Sequence, residues 1–151
     1  MSDETVFEAL RADHERQREL ADRLVETEGS SDERSELFDR LKTELAAHAD
    51  AEERFFYIPM MEFDLTQEKA RHSVAEHHEL DELVETLEAT DMSSPSWLST
   101  AKDLHEQLTH HLDEEEQEVF QMAGKVLTET QKTELASSYR GEINRQRGQH
   151  V

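Results

Sequence analysis

The chain has 151 residues, 34% of them hydrophobic, and carries 16 Lys and Arg against 37 Asp and Glu for a formal charge of −21. That charge repels phosphates and argues against nucleic-acid partners. The absence of cysteine excludes disulfides, thiolate-held metals and thiol nucleophiles. No apolar run approaches a membrane span. The opening residues Met1-Ser2-Asp3-Glu4 are acidic where a secretory signal would be basic and then apolar. The expected location is therefore cytoplasmic, with neither nucleic acid nor membrane as a partner. Low hydrophobicity with high charge is also a mark of disorder, but the chain holds only 4 Gly and 2 Pro and its apolar residues recur at helical spacing. The acidic excess suits work in concentrated salt, which screens self-repulsion, and equally an ordinary solvated acidic surface.

Ala, Leu, Glu, Arg and Gln abound, which is helix chemistry. The first helix runs from Val6 to Glu28, opened by the capping box Thr5-Val6-Phe7-Glu8 and broken by Gly29-Ser30-Ser31. Ser30-Ser31-Asp32-Glu33 reads as a second box, opening a helix that reaches Ile58 ahead of Pro59. Asp64-Leu65-Thr66-Gln67 opens a third helix, ending near Ala89. Asp91-Met92-Ser93-Ser94-Pro95 is a loop, and Ser94 as N-cap with Pro95 next starts a fourth helix to Val126. Thr128-Glu129-Thr130-Gln131 opens a last helix with Leu135, Tyr139 and Ile143 on one face, and a frayed tail is expected from Gly148. Long helices joined by short loops pack antiparallel. The expectation is an all-α chain, one domain over residues 1–151. It comprises an up-down-up-down four-helix bundle over about 5–127 and an added C-terminal helix over about 128–147.

Nine histidines is a high count, and their helical phase separates them. A step of seven residues returns to nearly the same helix face, within about 20°. Seven before His14, His48, His77 and His111 stand Phe7, Leu41, Ala70 and Leu104; seven after stand Ala21, Phe55, Val84 and Glu118. These four histidines thus sit on apolar stripes, one per helix. His72, His78 and His110 fail this test, and His105 points about 120° away from His111, toward a neighbouring helix. His72, His78, His105, His110 and His150 are read as surface or packing residues. Four inward imidazoles are hard to explain as packing, since each needs hydrogen-bond partners; neutral imidazole is an excellent metal ligand.

Glu52 and Glu115 lie one turn after His48 and His111, on the same apolar faces. A carboxylate there is costly unless paired or metal-bound. Four imidazoles and two carboxylates suit two cations about 3.5–4 Å apart with bridging carboxylates and open positions. Tyr57, Glu53, Ser73 and Glu116 are candidates to orient the imidazoles, against the preferred reading of each as an ordinary surface or packing residue. Phe55, Phe56, Phe63, Trp97 and Phe120 read as core, and the acidic run Asp113 to Glu118, apart from Glu115, as a solvated face. Nothing suggests a nucleophilic serine or a phosphate-cradling loop.

The segments Ala12-Asp13-His14-Glu15, His48-Ala49-Asp50-Ala51-Glu52-Glu53-Arg54-Phe55-Phe56-Tyr57-Ile58-Pro59, Ala75-Glu76-His77-His78-Glu79-Leu80 and His110-His111-Leu112-Asp113-Glu114-Glu115-Glu116-Gln117-Glu118-Val119-Phe120 carry a resemblance. The chain resembles the hemerythrin-like proteins of the HHE cation-binding type over roughly Phe7 to Leu127. The resemblance implies a four-helix bundle with a non-haem di-iron centre. It implies His14, His48, His77 and His111 as the histidine ligands, with Glu52 and Glu115 bridging. Oxygen-carrying members have a histidine four residues before the third-helix histidine, where this chain has Ser73. They also have an aspartate five after the last, where this chain has Glu116. Some relatives with one ligand more carry an acid where this chain has Ala49. The resemblance therefore points to the sensing, redox and iron-handling members. The implied ligands of the centre are dioxygen, nitric oxide or peroxide, and the electron or protein partner is unspecified. The alternatives are a zinc or manganese site in the same bundle, and a metal-free helical interaction module.

Overall fold

The computed structural model describes residues 3–148, and every regular element among them is helical. They are α1 (Val6–Leu24), α2 (Asp32–Glu52), α3 (Ile58–Met60), α4 (Gln67–Ala89), α5 (Pro95–Glu114), α6 (Phe120–Val126) and α7 (Glu129–Gly148). A π-helical turn, Glu53–Tyr57, joins α2 to α3, and another, Glu115–Val119, joins α5 to α6. Gly148, where fraying is expected to begin, is the last residue of α7; the positions after it, His150 among them, lie outside the described residues.

Local chemistry sets the helix starts. The Thr5–Glu8 capping box forms as expected. The second start differs: Ser31, not Ser30, is the cap, and its side chain accepts from the Arg34 amide. The cap therefore sits one residue later than the expected box, and the third residue of the helix is an arginine. Ser94 caps α5 with Pro95 following. Thr66 precedes α4 but turns its hydroxyl to the Met60 carbonyl at 2.6 Å, tying the turn below it. The first helix stops at Leu24 rather than Glu28, because the Thr27 hydroxyl donates to the Leu24 carbonyl at 2.6 Å. Gly29, at φ 58°, then takes the left-handed conformation that lets the chain reverse.

The two π turns correct the expectation of unbroken second and fourth helices. Each inserts about one extra residue per turn, so the inward face shifts by one position. Phe56, eight after His48, is fully buried where the seven-residue step gives Phe55, and Val119, eight after His111, is buried where that step gives Glu118, which is exposed.

α1 packs on α2, α5 and α7, α4 on α5, and α7 also on α2. Two apolar clusters result. One gathers Leu10, Ala51, Phe56, Ala70, Val119 and Ile143; the other gathers Leu24, Leu37, Leu87, Trp97 and Leu104. The second is closed by Arg34, a buried cation stacked 4.7 Å from the Trp97 ring centre and donating to the carbonyls of Thr27 and Met92. That side chain joins the α1–α2 and α4–α5 connections. No described helix is long and apolar enough to cross a membrane.

Candidate metal centre

Between the two apolar clusters lies a band of buried polar side chains. His14, His48, Glu52, His77, His111 and Glu115 are each 5% exposed or less. They come from α1, α2, α4, α5 and the head of the second π turn, and all six converge. The imidazoles form two pairs, His14 with His48 at 5.1 Å between ring centres and His77 with His111 at 4.9 Å. Glu52 belongs to both fully buried groups of close donor atoms among the described residues, one with His14 and His48 and one with His77 and His111; a third group, His72 with Glu76 and Glu114, is partly exposed. Its Oε1 lies 3.2 Å from His48 Nε2 and 3.3 Å from His77 Nε2. Glu115 spans the pairs the other way, 3.0 Å from His14 Nε2 and 3.8 Å from His111 Nε2.

The outer nitrogens explain why the inner ones face the centre. His14 Nδ1 donates to Glu116 at 2.6 Å, His77 Nδ1 to Glu53 at 2.8 Å and His111 Nδ1 to Glu76 at 2.7 Å. His48 Nδ1 donates to the Tyr139 hydroxyl at 2.6 Å, and that hydroxyl donates to Asp13 at 2.5 Å. Each ring is thereby held with Nε2 turned inward. Nε2 of His14, His48 and His111 and both oxygens of Glu52 and Glu115 are buried without a hydrogen-bond partner. So many unmatched acceptors in one place would be prohibitive for a packed core; a cation satisfies them together.

Two of the four orienting candidates, Glu53 and Glu116, hold imidazoles, so for them the preferred surface-or-packing reading is corrected. The π turns account for this: they begin at Glu53 and at Glu115, so each inward carboxylate is followed at once by one that reaches a neighbouring helix's histidine. Ser73 is buried, and Tyr57 packs its ring 5.5 Å from His77 with its hydroxyl buried and unpaired. The sequence reading missed Glu76, Tyr139 and Asp13 as partners. Glu76 directly precedes His77 yet serves His111 on α5, and Tyr139 comes from α7, 91 residues from the histidine it holds. The remaining histidines stand apart. His105 pairs with Asp22 at 2.6 Å, on neighbouring α1. His72 and His110 are exposed beside Glu76 and Glu114, and His78 is exposed.

The metal-free electrostatics are those of a proton-sharing cluster. Burial pushes the Glu115 carboxyl well up, and the neighbouring Glu52 charge adds to it. Burial works against the Glu52 charge too, but the His48 and His77 imidazoles override it and hold that carboxyl well below its usual range. The two carboxyls are thus driven in opposite directions, Glu52 toward its charged form and Glu115 toward its neutral one. Burial disfavours a charged His77, yet Glu52 and Glu53 raise it to about 9. Burial lowers His111, with Glu76 opposing. Glu116, despite burial, is drawn down to about 2 by His14 and Arg18.

The hemerythrin HHE cation-binding domain profile matches residues 5–123. The chain belongs to the hemerythrin HHE cation-binding family. A crystal structure of a hemerythrin HHE cation-binding domain-containing protein from Mycobacterium kansasii is similar, at 25% identity and a TM-score of 0.87, covering 99% of this chain and 90% of that one. The comparison with curated proteins finds no match. As an HHE domain the chain is a metal-binding helical protein, and its buried His and Glu groups are the place where a cation fits. In this HHE domain, Tyr139 and the rest of α7 lie beyond the matched segment and still supply the support for His48.

Proposed function

We propose that this chain binds two non-haem iron ions and uses them to bind or react with dioxygen, peroxide or nitric oxide. His14 and His48 would hold one ion and His77 and His111 the other, with Glu52 and Glu115 shared. The observation that carries this reading is the membership of Glu52 in both fully buried donor groups while Glu115 reaches one histidine of each pair. The same reading includes a single domain whose bundle runs up-down-up-down. The start of α1, end of α2, start of α4 and the α6 region share one core cluster, which supports that order.

A pair of iron ions supplies electrons and open coordination positions to a small ligand. The chain's own residues do the rest. The four outward hydrogen bonds keep the imidazole tautomers and angles set. His77 gives up its proton from Nε2 before that nitrogen can act as a donor atom, and a bound cation would work against the neutral form that burial favours at Glu115. The surrounding leucines and Phe120, whose ring stacks 6.0 Å from His14, exclude bulk water.

The test is a metal count on protein purified aerobically and reloaded with Fe(II), with a near-ultraviolet spectrum. About two irons per chain with oxo-bridged ferric absorption upholds the reading. Two zinc or manganese ions retained in competition with iron would replace iron but keep the site. No bound metal under any loading would leave a helical scaffold and refute it.

A further inference from the structure

Four positions face one another one turn from the histidines, on the side of the leucine-rich cluster. Gln17 lies three residues after His14, Leu45 three before His48, Leu80 three after His77 and Leu108 three before His111. Offsets of three keep to the same helix face. The three leucines are 8% exposed or less, and the glutamine is 1% exposed. Its amide nitrogen is buried without a hydrogen-bond partner. A donor in that state loses its water and gains nothing, whereas a fourth leucine would complete the layer. On the opposite side of the histidines, four residues away, stand Leu10, Glu52, Ser73 and Glu115. Glu52 and Glu115, the buried acids of the centre, thus stand on one side of it and the buried Gln17 amide on the other.

Gln17 also lines a small cavity with these leucines, Ala49, the imidazoles of His48, His77 and His111, and the exposed Asp81. The cavity offers about 10 Å³ to the centre of a water-sized molecule, room for about one such molecule. Among the buried residues that line it, Gln17 supplies the amide donor, and a few placed polar groups fix what a pocket accepts.

We propose that Gln17 selects the ligand of this centre by donating its side-chain N–H to a small anion of one or two heavy atoms held in the cavity beside the cations. The inference rests on the two-cation reading. A fixed donor in a dry site favours a ligand that carries negative charge over a neutral one of equal size. The three leucines limit the ligand to that size.

Fluoride, a one-atom anion that accepts strong hydrogen bonds, is the probe. Metal content, fluoride affinity of the metal-loaded protein and melting temperature of the metal-free protein are measured for wild type, Gln17→Leu and Gln17→Ala. Equal metal content, fluoride binding weakened about tenfold in both variants, and a higher metal-free melting temperature for Gln17→Leu are expected. A glutamine that only packs would give the opposite pattern: unchanged fluoride affinity and a lower melting temperature. Unchanged fluoride affinity at equal metal content overturns the role of Gln17. Absence of metal from the wild type overturns the two-cation reading, and this inference with it. If Gln17→Leu fails to fold, Gln17→Ala, which opens the cavity without restoring a donor, decides the question alone.

Discussion

Histidine 111 and its neighbour His110 show how much one residue's phase matters. His111 is 3% exposed and turned to the centre; His110 points outward, with a side chain 70% exposed. His111→Ala is therefore expected to lower bound metal by about one ion per chain, since it removes one of the two imidazoles assigned to that ion. His110→Ala should leave the count unchanged. Elemental analysis of the two variants checks this, and equal losses would mean that the wrong helix face had been chosen. Tyr139 tests the outward bonds. Its hydroxyl accepts from His48 and donates to Asp13, which Arg147 also holds at 2.7 Å. Tyr139→Phe leaves the His48 Nδ1 donor unpaired in a dry site, at a cost of about 1–3 kcal/mol. Metal affinity should fall roughly 10–100-fold, read by competition with a chromophoric chelator, while helix content stays the same.

The helices are consistent with their composition, but their details follow side-chain to backbone bonds. Thr27 ends α1 early by taking the Leu24 carbonyl, and Gly29 then turns the chain at positive φ. An alanine at 29 faces no nearby atoms, so its cost is conformational alone. Gly29→Ala should lower unfolding free energy by about 1–2 kcal/mol in urea titrations, with metal content unaffected because the turn sits at the far, leucine-rich end. The π turns matter more for the site. By admitting one extra residue directly after the carboxylate-bearing turns, they bring Glu53 and Glu116 onto histidines of other helices. A pattern counted at 3.6 residues per turn cannot reveal such an insertion, which is why Phe55 was expected in the place Phe56 occupies.

At the scale of the whole molecule, the polar band is a fault in the core that a cation repairs. Chelation should lower the melting temperature by on the order of 5–10 °C, the equivalent of about 2.7 kcal/mol for binding at a hundredfold excess over the dissociation constant. Loading metal at pH 7 should release protons, His77 being one source. Calorimetry in buffers of different ionisation enthalpy measures their number. The pH dependence follows from His77. Its protonated form is favoured in the folded metal-free chain, with a pKa of about 9 against 6.5. That contribution to metal-free stability is full below pH 6.5 and lost as pH rises through 9. Metal affinity moves the opposite way, rising over the same interval as the competing proton leaves.

Spacing along the chain determined which histidines and acids share an inward face, and hence that His14, His48, Glu52, His77, His111 and Glu115 converge. Helical phase is local, set by covalent geometry within each segment, so seven-residue steps are enough to read it. Which outer partner each imidazole finds was decided only by the packed molecule. Glu76 serves a histidine on the neighbouring helix, Tyr139 crosses from α7, and Asp13 closes the chain behind it. Those contacts depend on the rotation and separation of whole helices, and no spacing within one segment encodes them.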